Sequence, residues 1–318
     1  MQFAQLRALV HVAETGSLSR ASAQMRLAQP SLSRQIRLLE EELGTFLFER
    51  HGRGMVLTAA GRDVLDHAQR VLAELDEIRE ATRSIPADLR GTVALGTPPT
   101  VAEIVTVPLI ARVRARHPKL SVRLTSGYSG YLLDWLRAEE LDLMLSYDLQ
   151  PRSTLRIRPL MVETLLLIRP GGAAGGGGTG AAPAPLPFSD LARLPLILPS
   201  ARHGLRQIME RCASEAGIAL NVTVEADAFG SLVGLVRAGL GATILPLAPI
   251  YRAVQAGELS ATPLIAPSPT RKLVMVTPAD RPVSPAAAYL SATVTDVTAE
   301  LVKGGIWAGH MLTPPGEA

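Results

Sequence analysis

Residues 14–44, ETGSLSRASAQMRLAQPSLSRQIRLLEEELG, contain the clearest structural signal in the chain. Gly16 ends a run of apolar residues at helical spacing, and Ser17 is a typical N-cap for a second, short helix. A third helix is predicted to begin around Gln29, with Pro30 at the first helical position, where its missing N–H costs nothing. A short helix, a tight turn and another helix together indicate a helix-turn-helix motif.

The third helix has an apolar stripe and a polar, basic face. We expect the stripe to be Leu32, Ile36, Leu39 and Leu43, and the opposite face to carry Ser31, Ser33, Arg34 and Arg37. From residue 15 to residue 39 the chain has four arginines and no acidic residue, although the net charge of the whole chain is only +3. Such a local basic patch is what a phosphate-contacting surface needs, whereas the net charge alone argues for no particular partner.

A short hairpin is predicted directly after this helix. The sequence LFERHGRGMVL, residues 47–57, places two apolar strands around a Gly-Arg-Gly tip. An arginine at such a tip, here Arg53, can enter the minor groove of DNA or hold a phosphate group. For Arg50 two interpretations stay open, a contact to DNA or a pair with Glu49 or a neighbouring helix. Thr58 is expected to cap the long helix that follows.

That long helix is predicted from Thr58 to about Ser84. Its apolar residues are Val64, Leu65, Ala68, Val71, Leu72, Leu75, Ile78 and Ile85. Their spacing alternates near three and four, which suits a narrow helix–helix seam. Two interpretations stay open: the helix pairs with the same helix of a second subunit, or it lies on its own domain.

Beyond a hinge at residues 84–91, predicted strands alternate with predicted helices. The order runs from a strand at Gly91–Thr97 to a helix at Pro285–Val302 and predicts a parallel sheet covered by helices. The Gly-, Ala- and Pro-rich stretch 170–187 interrupts this order. It lacks the lysine and the helix start of a phosphate-binding loop, so we expect a flexible surface loop.

Residues 1–60 resemble the DNA-binding region of LysR-type transcription regulators. The resemblance is carried by residues 14–44, quoted above, and by LFERHGRGMVLTAAG, residues 47–61. The remainder resembles the effector domain of the same family in four segments: RGTVALGTPPT, SGYSGYLLDWLRAEELDLMLSYD, LARLPLILPS and LVRAGLGATILP. Their order and spacing along the chain agree with that family.

The resemblance implies three parts. They are an all-α winged helix-turn-helix at 1–58, a linker and dimerisation helix at 59–87, and an α/β, two-lobed, periplasmic-binding-protein-like (type 2) effector domain at 88–318. Lobe one is expected at about 88–162 and 266–303, and lobe two at about 163–265. The partners it implies are double-stranded promoter DNA, RNA polymerase, a small-molecule effector, and further copies of the chain in a dimer and then a tetramer. Transcriptional activation is the commoner outcome in this family.

The start of the predicted recognition helix carries groups that can read base edges. An amide can bridge adenine and a guanidinium can bridge guanine, so Gln29 and Arg34 are assigned to bases, together with Ser33. Ser31 and Arg37 are assigned to phosphate groups. The complete predicted DNA-binding set is Ser17, Gln29, Pro30, Ser31, Ser33, Arg34, Arg37, Arg50 and Arg53.

Ligands of open α/β folds bind outside the carboxyl ends of the strands. Thr100 and Ser129 lie where helices are predicted to begin after two strands, and free backbone N–H groups there favour an anion, typically a carboxylate. By family position, the complete predicted effector-binding set is Pro99, Thr100, Ser129, Tyr147, Pro199, Ser200 and Phe229. Arg202 and His203 could pair with an acidic effector, but we interpret them as solvated surface residues.

The sequence argues against several other classes of protein. No two of the six histidines have the spacing of metal ligands, and no G-x-S-x-G motif is present, so we predict no enzyme, no catalytic residue, no metal and no cofactor. The single cysteine, Cys212, precludes an internal disulfide. The chain lacks a secretion signal and an apolar run of membrane length, so we expect a cytoplasmic protein with no membrane partner. The alternative is a small-molecule binding protein with the same sensor fold and no role at DNA.

Overall fold

The computed structural model describes residues 1–51, 54–81, 88–150, 154–172 and 183–312. The predicted wing tip at Arg53, most of the predicted hinge and the Gly-rich part of the stretch 170–187 lie outside the described residues. The chain forms two compact units. The first comprises Met1–Pro86, Gln150–Arg158 and Thr277–Val283, and the second comprises Ala87–Leu149, Pro159–Val276 and Ser284–Ala318. The limits predicted above for the three parts and the two lobes stay predictions.

The first unit is built from helices and one hairpin. Its elements are α1 (Phe3–Thr15), α2 (Leu18–Met25), α3 (Gln29–Leu43), β1 (Phe48–His51), β2 (Gly54–Leu57) and α4 (Ala59–Ala81). As predicted, Gly16 ends α1 in a left-handed conformation, with φ of 61°. The Ser17 hydroxyl accepts a hydrogen bond from the Arg20 N–H at 3.4 Å, which confirms the N-cap of α2. The helix-turn-helix is therefore present where the sequence predicted it.

Two details of α3 differ from the prediction. The helix begins at Gln29, so Pro30 is its second residue and not its first. Leu32, Ile36 and Leu39 are buried as expected, but Leu43 is 39% exposed. Because Leu43 is the last residue of α3 and Gly44 follows it in a left-handed conformation, the chain turns away before Leu43 can reach the core.

The hairpin is held against the helices by close backbone contacts. The Met55 N–H donates to the Gly16 carbonyl at 2.9 Å. A Cβ at Gly54 would lie 2.4 Å from that same carbonyl oxygen, so only glycine allows this approach. The Thr58 hydroxyl accepts a hydrogen bond from the Gly61 N–H at 2.9 Å, which confirms the predicted cap of α4.

The first half of α4 packs on its own unit. Ala68 belongs to the buried core that α1 and α3 also form, and Val64, Leu65 and Leu72 pack against this core. Part of the predicted seam is therefore used within the subunit, as the second interpretation required. Val71 is exposed and Leu75 is half-buried outside this core, so these two side chains stay available to a partner.

The second unit alternates strands and helices. Its elements are β3 (Gly91–Thr97), α5 (Pro99–Arg116), β4 (Leu120–Ser126), α6 (Ser129–Arg137), β5 (Leu143–Tyr147), β6 (Leu155–Pro170), β7 (Leu186–Pro187), a 3-10 helix (Phe188–Arg193), β8 (Leu196–Leu198), α7 (Gly204–Glu215), β9 (Val222–Glu225), α8 (Phe229–Arg237), β10 (Thr243–Pro246), a 3-10 helix (Ala248–Ile250), α9 (Tyr251–Gln255), β11 (Leu259–Ile265), β12 (Thr270–Pro278), α10 (Pro285–Lys303) and β13 (Gly309–Met311). None of the described helices is long and apolar enough to span a membrane.

The sheet of this unit is mixed, and not parallel as predicted. Strand β3 runs parallel to β4 and β5, and β8 runs parallel to β9, as βαβ connections require. By contrast β12 is antiparallel to β5, and β10, β11 and β13 are antiparallel to β6. Each of these antiparallel pairs contains β6 or β12, and alternation of elements along the sequence does not reveal such pairs.

The long strand β6 organises both lobes. Met161, Val162 and Glu163 pair with β13, whereas the residues from Leu165 onward pair with β10 and β11. Leu165 and Leu167 are buried in one core with α7, and Leu166 and Ile168 are buried in another with α8. Because alternate side chains point to opposite faces of a strand, this uninterrupted apolar run is the pattern of a sheet covered on both sides.

Replacing glycine by alanine is expected to change stability in opposite directions in two helices. Gly61→Ala should lower the free energy of unfolding by about 1–3 kcal/mol, because its Cβ would lie 2.1 Å from the Leu47 carbonyl oxygen. Gly234→Ala in α8 should raise that free energy by roughly 0.5–1 kcal/mol, because nothing lies within 4 Å of its Cβ. Thermal unfolding of the two variants tests the close approach at Gly61, and equal shifts would contradict it.

Candidate functional site

The outer face of α3 presents most of the predicted DNA-binding residues to solvent. Exposed there are Gln29, Pro30, Ser31, Arg34 and Arg37, and Ser33 is half-buried. Arg37 lies 3.3 Å from the Glu41 carboxylate, one helical turn further along. Within the described part of the chain, Arg34 makes no ion pair and no side-chain hydrogen bond. Of these two cations Arg34 is therefore the one whose full fork of donors is open to a ligand.

The acidic run that follows does not oppose this basic face. The Glu40 carboxylate accepts hydrogen bonds from the Leu47 N–H at 2.8 Å and the Phe48 N–H at 3.2 Å, so it is engaged inside the unit. Glu42 pairs with the N-terminal ammonium group. The side chains of Arg50 and Arg53 lie outside the described residues, so both assignments stay predictions.

In the second unit, the predicted effector residues lie at the carboxyl ends of strands. Pro99 and Thr100 open α5 after β3, and Tyr147 ends β5. Ser129 is the first residue of α6, Phe229 is the first residue of α8, and Pro199 and Ser200 follow β8. The placement of each residue along the chain is therefore the one that an open α/β fold uses for ligands.

Four of these residues fall into two groups. Thr100 and Tyr147 both contact one side chain, that of Arg271. Pro99 and Phe229 line a cavity of about 430 Å³ together with residues of α8, the second 3-10 helix and α9. The structure thus places two predicted residues in a polar group around Arg271 and two in a largely apolar group beside α8.

Arg271 is the residue that the sequence did not single out. It lies at the start of β12 and is 7% exposed. Its Nη2 donates to the Thr100 hydroxyl at 3.4 Å, and its Cζ lies 3.6 Å from the centre of the Tyr147 ring. Tyr147 is 124 residues away in sequence, and nothing in the local pattern TRKLVMV distinguishes Arg271 from a solvated residue at a strand end.

A buried carboxylate holds Arg271. Arg271 Nε donates to Glu163 Oε2 at 2.5 Å, and Trp307 Nε1 donates to Glu163 Oε1 at 2.5 Å. Glu163 and Trp307 are each 1% exposed. Since a buried charge needs both an opposite charge and hydrogen bonds, this arrangement satisfies Glu163 and fixes the direction of the Arg271 fork.

The second lobe supplies a different set of polar groups. The Tyr128 hydroxyl donates to the Asp227 carbonyl oxygen at 3.0 Å and so joins the two lobes directly. The Asp227 carboxylate accepts a hydrogen bond from the Ser200 N–H at 2.9 Å. The backbone donor of Ser200, a residue of the predicted effector-binding set, is therefore taken by a carboxylate of the chain itself.

The interpretation of His203 as a solvated surface residue is wrong. His203 is half-buried, its ring meets the Tyr128 ring edge-on at 5.2 Å between centroids, and its Nδ1 accepts a hydrogen bond from the Leu205 N–H at 3.1 Å. Arg202 beside it is exposed, as expected. A helix N-cap at residue 203 turns the imidazole inward, and no local sequence pattern indicates its contact with Tyr128.

The electrostatic environment sets the protonation of these groups. Burial lowers the pKa of His203, and the positive charge of Arg271 lowers it further, while Asp227 acts in the opposite sense. Burial raises the pKa of the Tyr147 hydroxyl, which therefore stays neutral. The hydrogen bond from the Ser200 N–H lowers the pKa of Asp227, which is therefore ionised at neutral pH.

An exposed basic recognition face and a two-lobed α/β domain together define a DNA-binding regulator with a small-molecule sensor. The sequence profile "Bacterial regulatory helix-turn-helix protein, lysR family" matches residues 3–62, and the profile "LysR substrate binding domain" matches residues 86–299. The chain belongs to the LysR family of bacterial transcription regulators.

Similar proteins cover nearly the whole chain. The HTH-type transcriptional regulator BbuR of Bordetella bronchiseptica is 32% identical over 299 residues, which cover 94% of this chain and 90% of BbuR. A "probable hydrogen peroxide-inducible genes activator" of Streptomyces viridosporus is 32% identical and covers 86% of each chain. The LysR-family regulator HinK of Pseudomonas aeruginosa has a TM-score of 0.60 at 25% identity, over 94% of this chain and 99% of HinK. Oxidised OxyR of Corynebacterium glutamicum shares the fold, with a TM-score of 0.65 at 22% identity over 95% of this chain and 93% of OxyR.

Stability is expected to fall as the pH drops below 6.5, the ordinary pKa of histidine, because the unfolded chain then binds a proton that folded His203 resists. The contribution of His203 is complete above that pH and is lost progressively below it. His203→Asn keeps a helix-capping acceptor and should flatten this dependence in thermal unfolding between about pH 7.5 and pH 5. A smaller slope should remain, because burial also lowers the pKa of His11.

The matched control is His310→Asn, which removes an exposed histidine. It should leave the pH dependence of the melting temperature as in the wild type. An equal slope in the wild type and in the His203 variant would show that His203 does not titrate differently in the folded and unfolded states.

Proposed function

We propose that this regulator binds specific promoter DNA as a dimer or tetramer and responds to a small carboxylate effector. The observation that carries the proposal is the open guanidinium of Arg34 on the exposed polar face of α3. A recognition helix reads sequence in the major groove through such side chains near its start. Gln29 is assigned to adenine and Arg34 to guanine, while Ser31 and Arg37 contact phosphate groups.

Arg34→Ala is expected to weaken binding to an operator selected in vitro by about 1–3 kcal/mol, roughly ten- to a hundredfold in Kd. The physical reason is the loss of a two-pronged hydrogen bond to guanine, so binding to random DNA should change much less. Gel retardation at fixed salt concentration measures both affinities.

Arg116→Ala is the matched control, since it removes one exposed arginine from the end of α5. It should bind operator and random DNA as the wild type does. If the Arg34 variant is equally unaffected, Arg34 does not read the operator. If the wild type itself shows no DNA binding that weakens steeply with salt, the result supports the alternative, a small-molecule binding protein without a role at DNA.

Assembly through α4 follows from what its own unit leaves uncovered. Val71 is exposed and Leu75 is half-buried, one turn apart on the same side of the helix. Pairing two copies of α4 would cover these side chains and present two recognition helices to a two-fold-related site. Association of sensor domains would extend the dimer to a tetramer.

Leu75→Glu is expected to produce a smaller species in sedimentation and to weaken operator binding, because a charge would be buried in the seam. Arg70→Gln is the control: it changes the charge of α4 by the same amount at an exposed position. A Leu75 variant of wild-type size would remove α4 from the interface.

The proposed effector binding rests on the residues at the start of α5. The Val101 and Ala102 N–H groups donate to the Pro98 carbonyl oxygen, so the donors that we assign to a carboxylate in the first turn are the Thr100 hydroxyl and the Thr100 N–H. A ligand that prefers closed lobes shifts the equilibrium by its differential affinity, and closure would alter the spacing of the DNA-binding dimers and their contact with RNA polymerase. Relatives named as activators favour activation as the outcome.

Several relatives are named as hydrogen peroxide-inducible genes activators. Oxidation of two thiols of one chain to a disulfide is a signal that this chain cannot use. Its one cysteine, Cys212, cannot form an intramolecular disulfide. The Cys212 thiol is buried in α7, and burial raises its pKa, which disfavours the reactive thiolate. We therefore propose ligand binding, and not thiol oxidation, as the signal.

A further inference from the structure

The sensor contains one buried cation that lies beside two of the proposed effector residues. The side chain of Arg271 contacts the Thr100 hydroxyl and covers the Tyr147 ring. A guanidinium has five N–H donors, of which Nε is engaged by Glu163 and one on Nη2 reaches Thr100 at a long 3.4 Å. Within the described residues Nη1 has no hydrogen-bond partner. The Arg271 fork therefore keeps unused donors at the end that faces Thr100.

The field of Arg271 reaches the opposite lobe. Its positive charge contributes to the lowered pKa of His203, which lies on the second lobe beside Tyr128. The Thr100 hydroxyl lies at hydrogen-bond distance from the same fork, so this charge also acts at the start of α5. A negative group placed there would be attracted by Arg271 and by the start of α5.

The charged groups around the Arg271 fork limit the negative charge that can bind there. Arg271 is the buried cation next to Thr100, and Glu163 already offsets part of its charge. His203 accepts a hydrogen bond through Nδ1 and is neutral near pH 7. Asp227 adds a negative charge on the second lobe and occupies the Ser200 N–H. Two carboxylates thus already accompany one cation, so a monoanion meets less repulsion there than a dianion such as a phosphate ester.

We propose that Arg271 is the specificity-determining residue of the sensor, and that its free Nη groups and the Thr100 hydroxyl bind the single carboxylate of a monoanionic effector. Glu163 is a positioning residue that aims the fork. This inference rests on the proposed function, in which a small molecule binds between the lobes. It adds Arg271 to the groups at the start of α5 that bind the carboxylate.

Glu163 also provides a reporter of this event. Its other oxygen accepts the Trp307 N–H, and the sequence contains one further tryptophan, Trp135. In the full chain carrying Trp135→Phe, Trp307 alone fluoresces. An anion that binds the Nη groups of Arg271 is expected to change the hydrogen bonding of Glu163, and this change should alter the emission of Trp307.

The experiment uses thermal unfolding and Trp307 emission in the full-length Trp135→Phe chain. The probes are small carboxylates, each compared with its uncharged amide at constant ionic strength: acetate with acetamide, and benzoate with benzamide. At least one carboxylate should stabilise the protein more than its amide and shift the emission of Trp307. If no carboxylate surpasses its amide, the proposal is wrong.

Three variants separate recognition from stability. Removing Arg271 alone would strand the Glu163 charge, so Arg271→Gln is combined with Glu163→Gln, and this folded double variant should bind the carboxylate about tenfold more weakly or worse. Glu163→Gln alone keeps one acceptor oxygen for the Arg271 fork but leaves its charge uncompensated, so it should unfold at a lower temperature than the wild type and gain more stability from the carboxylate. Arg112→Gln breaks an ion pair with Glu300 elsewhere in the same unit and should change nothing.

A carboxylate preference that survives in the double variant would make Arg271 a structural residue only. An unchanged emission of Trp307 on carboxylate binding would overturn the positioning role of Glu163. Neither result touches operator binding by α3, which gel retardation of the same variants measures separately. An amide that protects the wild type as well as its acid would leave a small-molecule sensor in place and remove Arg271 from recognition.

Discussion

The burial of the Glu163 carboxylate is the constraint on which the sensor domain depends. A charge at 1% exposure is tolerated only with an opposite charge and complete hydrogen bonding, and Glu163 obtains these from Arg271 and Trp307. The three residues come from β6, β12 and the segment after α10. One carboxylate therefore ties together the strand that runs through both lobes, a returning strand and the end of the chain. Its position beside Thr100 links this structural role to ligand recognition.

The first unit depends on close backbone contacts instead of a buried charge. Gly54 of β2 and Gly61 of α4 approach the carbonyl oxygens of Gly16 and Leu47 more closely than a Cβ would permit. These contacts hold the hairpin against the end of α1 and hold α4 against the residue that precedes β1. Glu40, which could have repelled DNA, is engaged as an acceptor for backbone N–H groups.

The two parts of the sensor surface differ in chemistry. Around Arg271 the groups are polar and charged, whereas the cavity lined by Pro99 and Phe229 is bounded largely by small and apolar residues of α8 and its neighbours. A monoanion with an apolar body suits the first region through its carboxylate. The direct hydrogen bond between Tyr128 and Asp227 adds a contact between the lobes that any closure or opening has to retain or break.

Local pattern was sufficient for most elements. Interactions within a few residues specify the caps at Ser17 and Thr58 and the left-handed glycine at position 16. They also specify the strands that precede Thr100 and end at Tyr147. Such local interactions can be predicted from the sequence. The antiparallel crossing strands, the packing of α4 on its own unit and the pairing of Glu163 with Arg271, 108 residues apart, depend on which elements meet in space. These features could be seen only in the folded chain, because the free energy that selects them comes from burial and charge compensation between distant segments. Neither burial nor charge compensation between distant segments produces a periodic pattern in the sequence.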